Sequence, residues 1–165
     1  METSIRRART ADVAAIRRLV DLYAGQGILL DKPAVALYED VQEFWVGDRG
    51  GEVVACGALH VMWDDLAEIR TVAVDPSTRG AGVGSRLVGR LIETARELGV
   101  RRVFCLTFEV AFFARHGFVA IEGTPVEPTV YEELLRSYDE GVAEFLDLER
   151  VKPNTLGNTR MLLHL

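Results

Sequence analysis

Three glycines at alternate positions, Gly80, Gly82 and Gly84, stand between a β-branched run and an amphipathic helical pattern. Before them, Ile69-Arg70-Thr71-Val72-Ala73-Val74 reads as a strand, followed by Asp75-Pro76-Ser77-Thr78-Arg79. After them, Val83, Leu87, Val88, Leu91, Ile92, Ala95 and Leu98 recur at the spacing of one helical face. A glycine inside a helix costs about 1 kcal/mol relative to alanine, so three in one turn require a reason. Glycine lets the backbone approach a ligand closely, and the first amides of a helix have no partner within it. Strand, glycine loop and helix start together make a cradle for phosphate.

The spacing separates this cradle from two others. A Walker A loop has lysine after its last glycine, whereas Gly84 is followed by Ser85-Arg86. A dinucleotide turn needs G-x-G-x-x-G directly after the strand, and neither Gly80 nor Gly82 begins that spacing. The simpler alternative is a glycine-rich helix start with no ligand.

Length and composition fit one soluble globular domain over residues 1–165, with 48% hydrophobic and 27% charged residues. A net charge of −6 argues against nucleic acid as a partner. Arg79 and Arg86 beside the loop amides still leave a local site for an anion. No apolar N-terminus resembles a signal peptide and no run is long enough to cross a bilayer, so a cytoplasmic protein without a membrane partner is expected. Cys56 and Cys105 lie in apolar β-like runs, which suits small buried hydrophobes better than a reactive thiol. No His, Cys and Asp group has metal-ligand spacing, and no metal is expected.

Hydropathy patterning predicts a first strand at 5–9, then a helix from Ala11 to about Ala24 capped by Thr10, with Val13, Ile16, Leu19, Val20 and Tyr23 on one side. Asp31 and Pro33 open a second helix running to about Glu43. Residues 44–48 and 53–62 pair as a hairpin about Arg49-Gly50-Gly51, and Trp63-Asp64-Asp65 turns into the strand at 67–74. Further strands are expected at 101–108, 118–122 and 159–165. A short helix spans 109–115, a helix spans 129–147 with an interruption near Gly141, and 153–158 is a loop. This order gives an α/β (α+β) chain with a mixed, mostly antiparallel central sheet of about seven strands flanked by helices.

Arg79-x-x-Gly82-x-Gly84 after a Val-Asp-Pro strand end resembles the pyrophosphate loop of the GCN5-related N-acetyltransferases, and the element order resembles their fold over nearly the whole chain. Gly27-Ile28-Leu29-Leu30, Ala67–Val74, Val103–Thr107, Phe112–Phe118, Tyr138–Asp147 and Lys152–Asn158 narrow the resemblance to the N-acetylglutamate synthases, in particular the short stand-alone actinobacterial form. The resemblance implies acetyl-CoA as co-substrate and transfer of its acetyl group to the α-amine of L-glutamate, or L-glutamine, at the first step of arginine biosynthesis. The widespread bacterial form carries an amino-acid-kinase-like domain that binds arginine, for which this chain has no room. Feedback by arginine is therefore expected to act through the catalytic domain. The superfamily's frequent tyrosine acid falls on Phe113, which cannot donate a proton.

An amine attacks a thioester without a covalent enzyme intermediate, so the site needs an anchored donor, a base and an oxyanion stabiliser. The amides of Gly80, Ala81, Gly82, Val83, Gly84 and Ser85, with Arg79, are the expected diphosphate cradle. The resemblance implies that the backbone of Val72 and Val74 pairs with the pantetheine arm, with an amide of Val72 or Ala73 as oxyanion donor. Glu68 is the chosen base, where the resemblance places a glutamate; a solvated strand-end glutamate is the alternative, and Glu109 the second choice. Thr107 sits where the family has a serine or threonine, in position to hydrogen-bond or protonate the leaving thiolate. A plain strand threonine would look the same.

For the acceptor, the resemblance points to Lys32, Arg160 and Asn158, with Leu106 beside the thioester and Lys152 as a weaker cation. Arg70 lies two residues after Glu68 on the same strand face. Surface cations would look alike. Two rivals stand beside this reading: an acetyltransferase of peptide N-termini, lysines or small amines, and a non-catalytic acetyl-CoA or arginine sensor. The apolar positions within 129–147 suit either a core or the interface of a homodimer, which is expected.

Overall fold

The computed structural model describes residues 2–29 and 32–165. Leu30 and Asp31, the end of one motif and the expected start of the second helix, lie outside the described residues. The strands are β1 (Ser4–Arg7), β2 (Phe44–Arg49), β3 (Glu52–Trp63), β4 (Leu66–Val74), β5 (Arg102–Thr107), β6 (Val119–Ala120) and β7 (Thr159–His164). The helices are α1 (Val13–Ala24), α2 (Ala34–Glu39), α3 (Val83–Leu98), α4 (Val110–Ala114), α5 (Pro128–Leu134), α6 (Glu140–Phe145) and α7 (Lys152–Thr155). The strands form one seven-stranded sheet in the order β1-β2-β3-β4-β5-β7-β6. The β1–β2, β2–β3, β5–β7 and β6–β7 pairs are antiparallel. β4 and β5 are parallel, from Leu66↔Arg102 to Glu68↔Phe104. The mixed, mostly antiparallel sheet expected from the sequence is what forms.

The chain divides into two compact units, Met1–His60 with Ile69–Leu98, and Val61–Glu68 with Gly99–Leu165. In the first, Val13, Ile16, Leu19, Val20 and Tyr23 of α1 bury against Leu37, Phe44, Val46, Val53, Cys56, Ala58 and Ala73. These are the apolar positions that the 3.6-residue period selects. Thr10 does not cap this helix. It lies in a 3-10 turn over Thr10–Asp12, and Asp12 closes the turn by accepting the Arg9 amide at 2.7 Å.

The same carboxylate takes both ends of the Arg6 fork at 2.8 and 2.9 Å. The hydrogen bond from Arg6 holds the Asp12 carboxyl below the usual range, against a smaller opposing effect of burial. Its stabilisation is therefore complete above the ordinary aspartate value of about 3.9 and is lost as pH falls through the lower, folded-state value. Asp12→Asn is expected to cost about 2 kcal/mol at pH 7, the scale of hydrogen bonds to a charged group. In urea unfolding, wild type and variant should converge as the pH falls through that lowered folded-state value.

The second unit buries Met62, Leu66, Phe104, Leu134, Val142, Phe145, Leu146 and Leu162 together. Phe104 and Phe145 meet edge to face, with centroids 5.0 Å apart. The helix expected over 129–147 with an interruption near Gly141 forms as α5 and α6, and the break falls at 135–139. Asp139 separates them by accepting the Val142 amide at 2.9 Å, so it starts a new helix rather than continuing the old one. Residues 153–155, expected in a loop, belong to the single turn of α7, whose early Pro153 suits a helix start. β6 keeps only two of the five residues expected.

One residue of β4 breaks the strand pattern. Thr71 has φ +57° and is buried, a left-handed conformation that strains a β-branched residue by about 1–2 kcal/mol. Beyond it Val72 and Val74 are half-buried and Ala73 is buried. The Asp75 amide bonds to the Val54 carbonyl on the β3 side at 2.8 Å. Strand alternation then turns the amides of Val72 and Val74 to the opposite edge.

Candidate active site

The glycine loop is built in two steps. Asp75 Oδ1 accepts the Ser77 amide at 2.9 Å, and its carbonyl accepts both the amide and the hydroxyl of Thr78 at 2.9 Å. These bonds fold Pro76–Thr78 into a tight turn with Thr78 buried. The chain then passes through Gly80 at φ +86° and Gly82 at φ +75° before α3 begins. A Cβ built on either glycine meets nothing within 4 Å, so the backbone conformation alone requires glycine there. Gly84 sits within the first turn of α3 and carries no such requirement.

The Arg86 amide bonds to the Gly82 carbonyl at 3.1 Å. The amides of Val83, Gly84 and Ser85 thus precede the i→i−4 ladder of a 16-residue helix. Arg79, Gly80, Ala81 and Gly82 are exposed, while Val83 anchors the helix start in the core. An exposed loop leading to the positive end of a long helix dipole is suited to an anion. Arg86 directs Nη2 to the Thr3 carbonyl at 2.6 Å. Arg79 Nη2 donates to the Tyr23 hydroxyl at 3.2 Å.

In the second unit, Glu68 is 3% exposed, which removes the reading of a solvated strand-end glutamate. Its charge reaches two neighbours: after the larger effect of burial, it helps push the Cys105 thiol up, and it partly offsets the lowering of Arg160 by burial. Thr107 is buried, and its Oγ1 accepts the Glu109 amide at 2.8 Å. That bond leaves the hydroxyl proton available as a donor. Glu109 itself is exposed.

Of the expected acceptor residues, Arg160 already has strong internal partners. It donates to the carbonyls of Gly123, Glu144 and Phe145 at 2.5–3.2 Å and lies over the Phe104 ring at 5.0 Å. Four of its five N–H groups are so engaged. Leu106 is half-buried opposite Arg160 in the β5–β7 register. Asn158 is half-buried, and its Oδ1 has no hydrogen-bond partner among the described residues.

In the first unit, Lys32 and Arg70 both act electrostatically on a residue the sequence did not single out. Asp40 is raised above the usual carboxylate range by burial and by Glu43, and Lys32, Arg70 and His60 pull it back. His60, in β3, has Nδ1 2.9 Å from a Glu43 oxygen. Sequence separation of 17 residues hid that pair. Tyr23 was legible only as one more apolar-face position of α1.

Both cysteines are buried, and burial pushes the Cys56 thiol up to about 12 and raises that of Cys105. Neither is a thiolate nucleophile at neutral pH. Among the described residues no group of three His, Cys, Asp or Glu could hold a metal, and no helix is long and apolar enough to cross a membrane.

Comparison with known proteins shows the family. The profile of the acetyltransferase (GNAT) family matches residues 15–118. An amino-acid acetyltransferase of Mycobacterium tuberculosis is 65% identical over 162 residues, covering 96% of this chain and 92% of that protein. A crystal structure from Mycobacterium tuberculosis in complex with CoA and NLQ superimposes with a TM-score of 0.96 at 64% identity, covering 98% of this chain and 99% of the other. The N-acetylglutamate synthase of Neisseria gonorrhoeae, complexed with coenzyme A and N-acetyl-glutamate, gives a TM-score of 0.78 at 25% identity, covering 100% of this chain and 35% of that one.

Proposed function

The chain belongs to the acetyltransferase (GNAT) family, and we propose that it moves the acetyl group of acetyl-CoA to the α-amine of L-glutamate, with L-glutamine as the second candidate acceptor. The loop at residues 79–85 carries this reading, because left-handed Gly80 and Gly82 deliver the chain to the exposed start of α3. The names of the similar proteins support the acceptor class: one is an amino-acid acetyltransferase, and another was solved with CoA and N-acetyl-glutamate. The first step of arginine biosynthesis is the corresponding place in metabolism. Arginine as an inhibitor, a homodimer and a cytoplasmic location belong to the same proposal.

Each residue has one task. The amides of Gly80 to Ser85, with Arg79, bind the diphosphate. Val72 and Val74 present backbone groups to the pantetheine arm, and the Val72 amide stabilises the oxyanion; the Ala73 amide, expected as the other donor, faces β3 and meets Cys56. Glu68 takes the proton that the amine must lose, directly or through a water. The nitrogen bonds to the carbonyl carbon, the C–S bond breaks, and the second proton lost by the nitrogen ends on the departing sulfur, to which Thr107 donates a hydrogen bond. The products are an N-acetyl amino acid and CoA, with no bond to the protein at any point.

Lys32 and Arg70 supply positive charge for the acceptor carboxylates; Asn158 and Leu106 remain acceptor contacts on the resemblance, while Arg160 spends four of its five N–H groups on the carbonyls of Gly123, Glu144 and Phe145. Arg70→Ala is expected to raise the acceptor KM by about 10–100-fold, the loss of one charge-assisted pair. The acetyl-CoA KM should stay constant in the same assay, run with each substrate varied in turn. The function itself is tested by CoA release with glutamate, glutamine and aspartate against peptides and polyamines, with and without arginine. Release is expected with glutamate or glutamine. Acetyl-CoA binding without turnover of any amine would establish the sensor reading instead, and release with peptides alone would establish the other rival.

A further inference from the structure

Tyr23 is the one buried residue of α1 with a hydroxyl; the others on that face are Val13, Ile16, Leu19 and Val20. A buried phenol needs a hydrogen-bond partner, and this one has two. Its hydroxyl donates to the Val74 carbonyl at the end of β4 and accepts from Arg79 Nη2 at 3.2 Å. Val74 is the last strand residue before the loop, and Arg79 is the first residue of the expected diphosphate cradle. One oxygen therefore ties the two ends of the connecting turn to each other and to the helix behind them.

A second bond from α1 supports the same turn. Arg18 Nη1 meets Asp75 Oδ2 at 3.2 Å, and its Nη2 donates to the Val53 carbonyl at 3.2 Å. Asp75 is the residue whose other oxygen holds the Ser77 amide. The turn is thus braced from α1 at Asp75 and, through Tyr23, at Val74 and Arg79. Holding one nitrogen of a planar guanidinium limits how the whole group can turn.

We propose that Tyr23 is a positioning residue for diphosphate recognition: its hydroxyl presets the Arg79 guanidinium, so that the diphosphate of acetyl-CoA meets a cation already in place. The proposal rests on residues 79–85 being the acetyl-CoA loop. Preorganisation of this kind acts on affinity for the group that the loop holds.

The test is Tyr23→Phe, which keeps the ring in the core and removes only the oxygen. The KM for acetyl-CoA is expected to rise about tenfold, the factor that one charge-assisted hydrogen bond carries. The acceptor KM and kcat at saturating acetyl-CoA should not change. S-acetylpantetheine, a donor without diphosphate, separates positioning from general loosening: its KM should be the same in both proteins. In an Arg79→Ala background, Tyr23→Phe should add little, because both changes remove one interaction. Equal acetyl-CoA KM in wild type and Tyr23→Phe overturns the proposal, as does an equal rise for both donors or full additivity with Arg79→Ala. Should wild type itself fail to bind acetyl-CoA in calorimetry, the reading of the loop fails before Tyr23 is reached.

Discussion

Glu68→Gln is expected to lower kcat by about 10²–10⁴-fold at neutral pH, the contribution of a positioned general base. An amino acid offers an ammonium group at that pH, and ammonium has no lone pair with which to attack a thioester. Glutamine keeps the length and polarity of Glu68 but cannot take the proton. Burial at 3% excludes a solvated surface role for this carboxylate. Because the lesion is in deprotonation, the deficit should shrink as pH approaches the ammonium pKa of the acceptor, and the acetyl-CoA KM should hold. Thermal unfolding provides the control, since Glu68 also acts on Cys105 and Arg160 electrostatically. Turnover at the wild-type rate would place the base elsewhere. A loss independent of pH and matched by a large fall in Tm would make Glu68 a structural group.

The second large effect is expected at Gly82. Valine at φ +75° is among the least tolerated residues, since its branched Cβ crowds the backbone. The chain must leave the left-handed region, and the first amides of α3 then turn away from their common target. Losing one or two amide-to-phosphate bonds, each about 1.5–3 kcal/mol, corresponds to a rise of about a hundredfold in the Kd for acetyl-CoA. A Cβ at Gly82 meets no protein atom within 4 Å, so the variant should fold. Gly89→Ala serves as the control. It lies in the same helix, has open space at its Cβ and has no left-handed backbone. That change should leave binding alone and add about 0.5–1 kcal/mol of stability. Both variants can be compared by calorimetric titration and urea unfolding.

What the sequence disclosed depends on how local the signal is. The strand, loop and helix over 69–98 were legible because β-branched residues, alternate glycines and a 3.6-residue apolar period follow one another without conflict. α3 ends at Leu98 as that period predicts. The buried face of α1 was legible for the same reason. Thr71 was not, because a β-branched residue inside a β-branched run gives no sign of a positive φ. The break between α5 and α6 was legible near Gly141, but its cause, the capping carboxylate of Asp139, was not. In the candidate site, the glycines follow from their neighbours along the chain, whereas Glu68 is chosen on the resemblance. The Tyr23 bridge spans 56 residues to Arg79, and the Glu43–His60 pair spans 17. Such partners are chosen by the fold and leave no spacing to read.

The most direct measurement is a crystal structure of this protein grown with acetyl-CoA. The diphosphate is expected within hydrogen-bond distance of the amides of Gly82 to Ser85, with the thioester leading back along β4 past Val72 toward Glu68. A diphosphate bound elsewhere, with residues 79–85 bare, would contradict it.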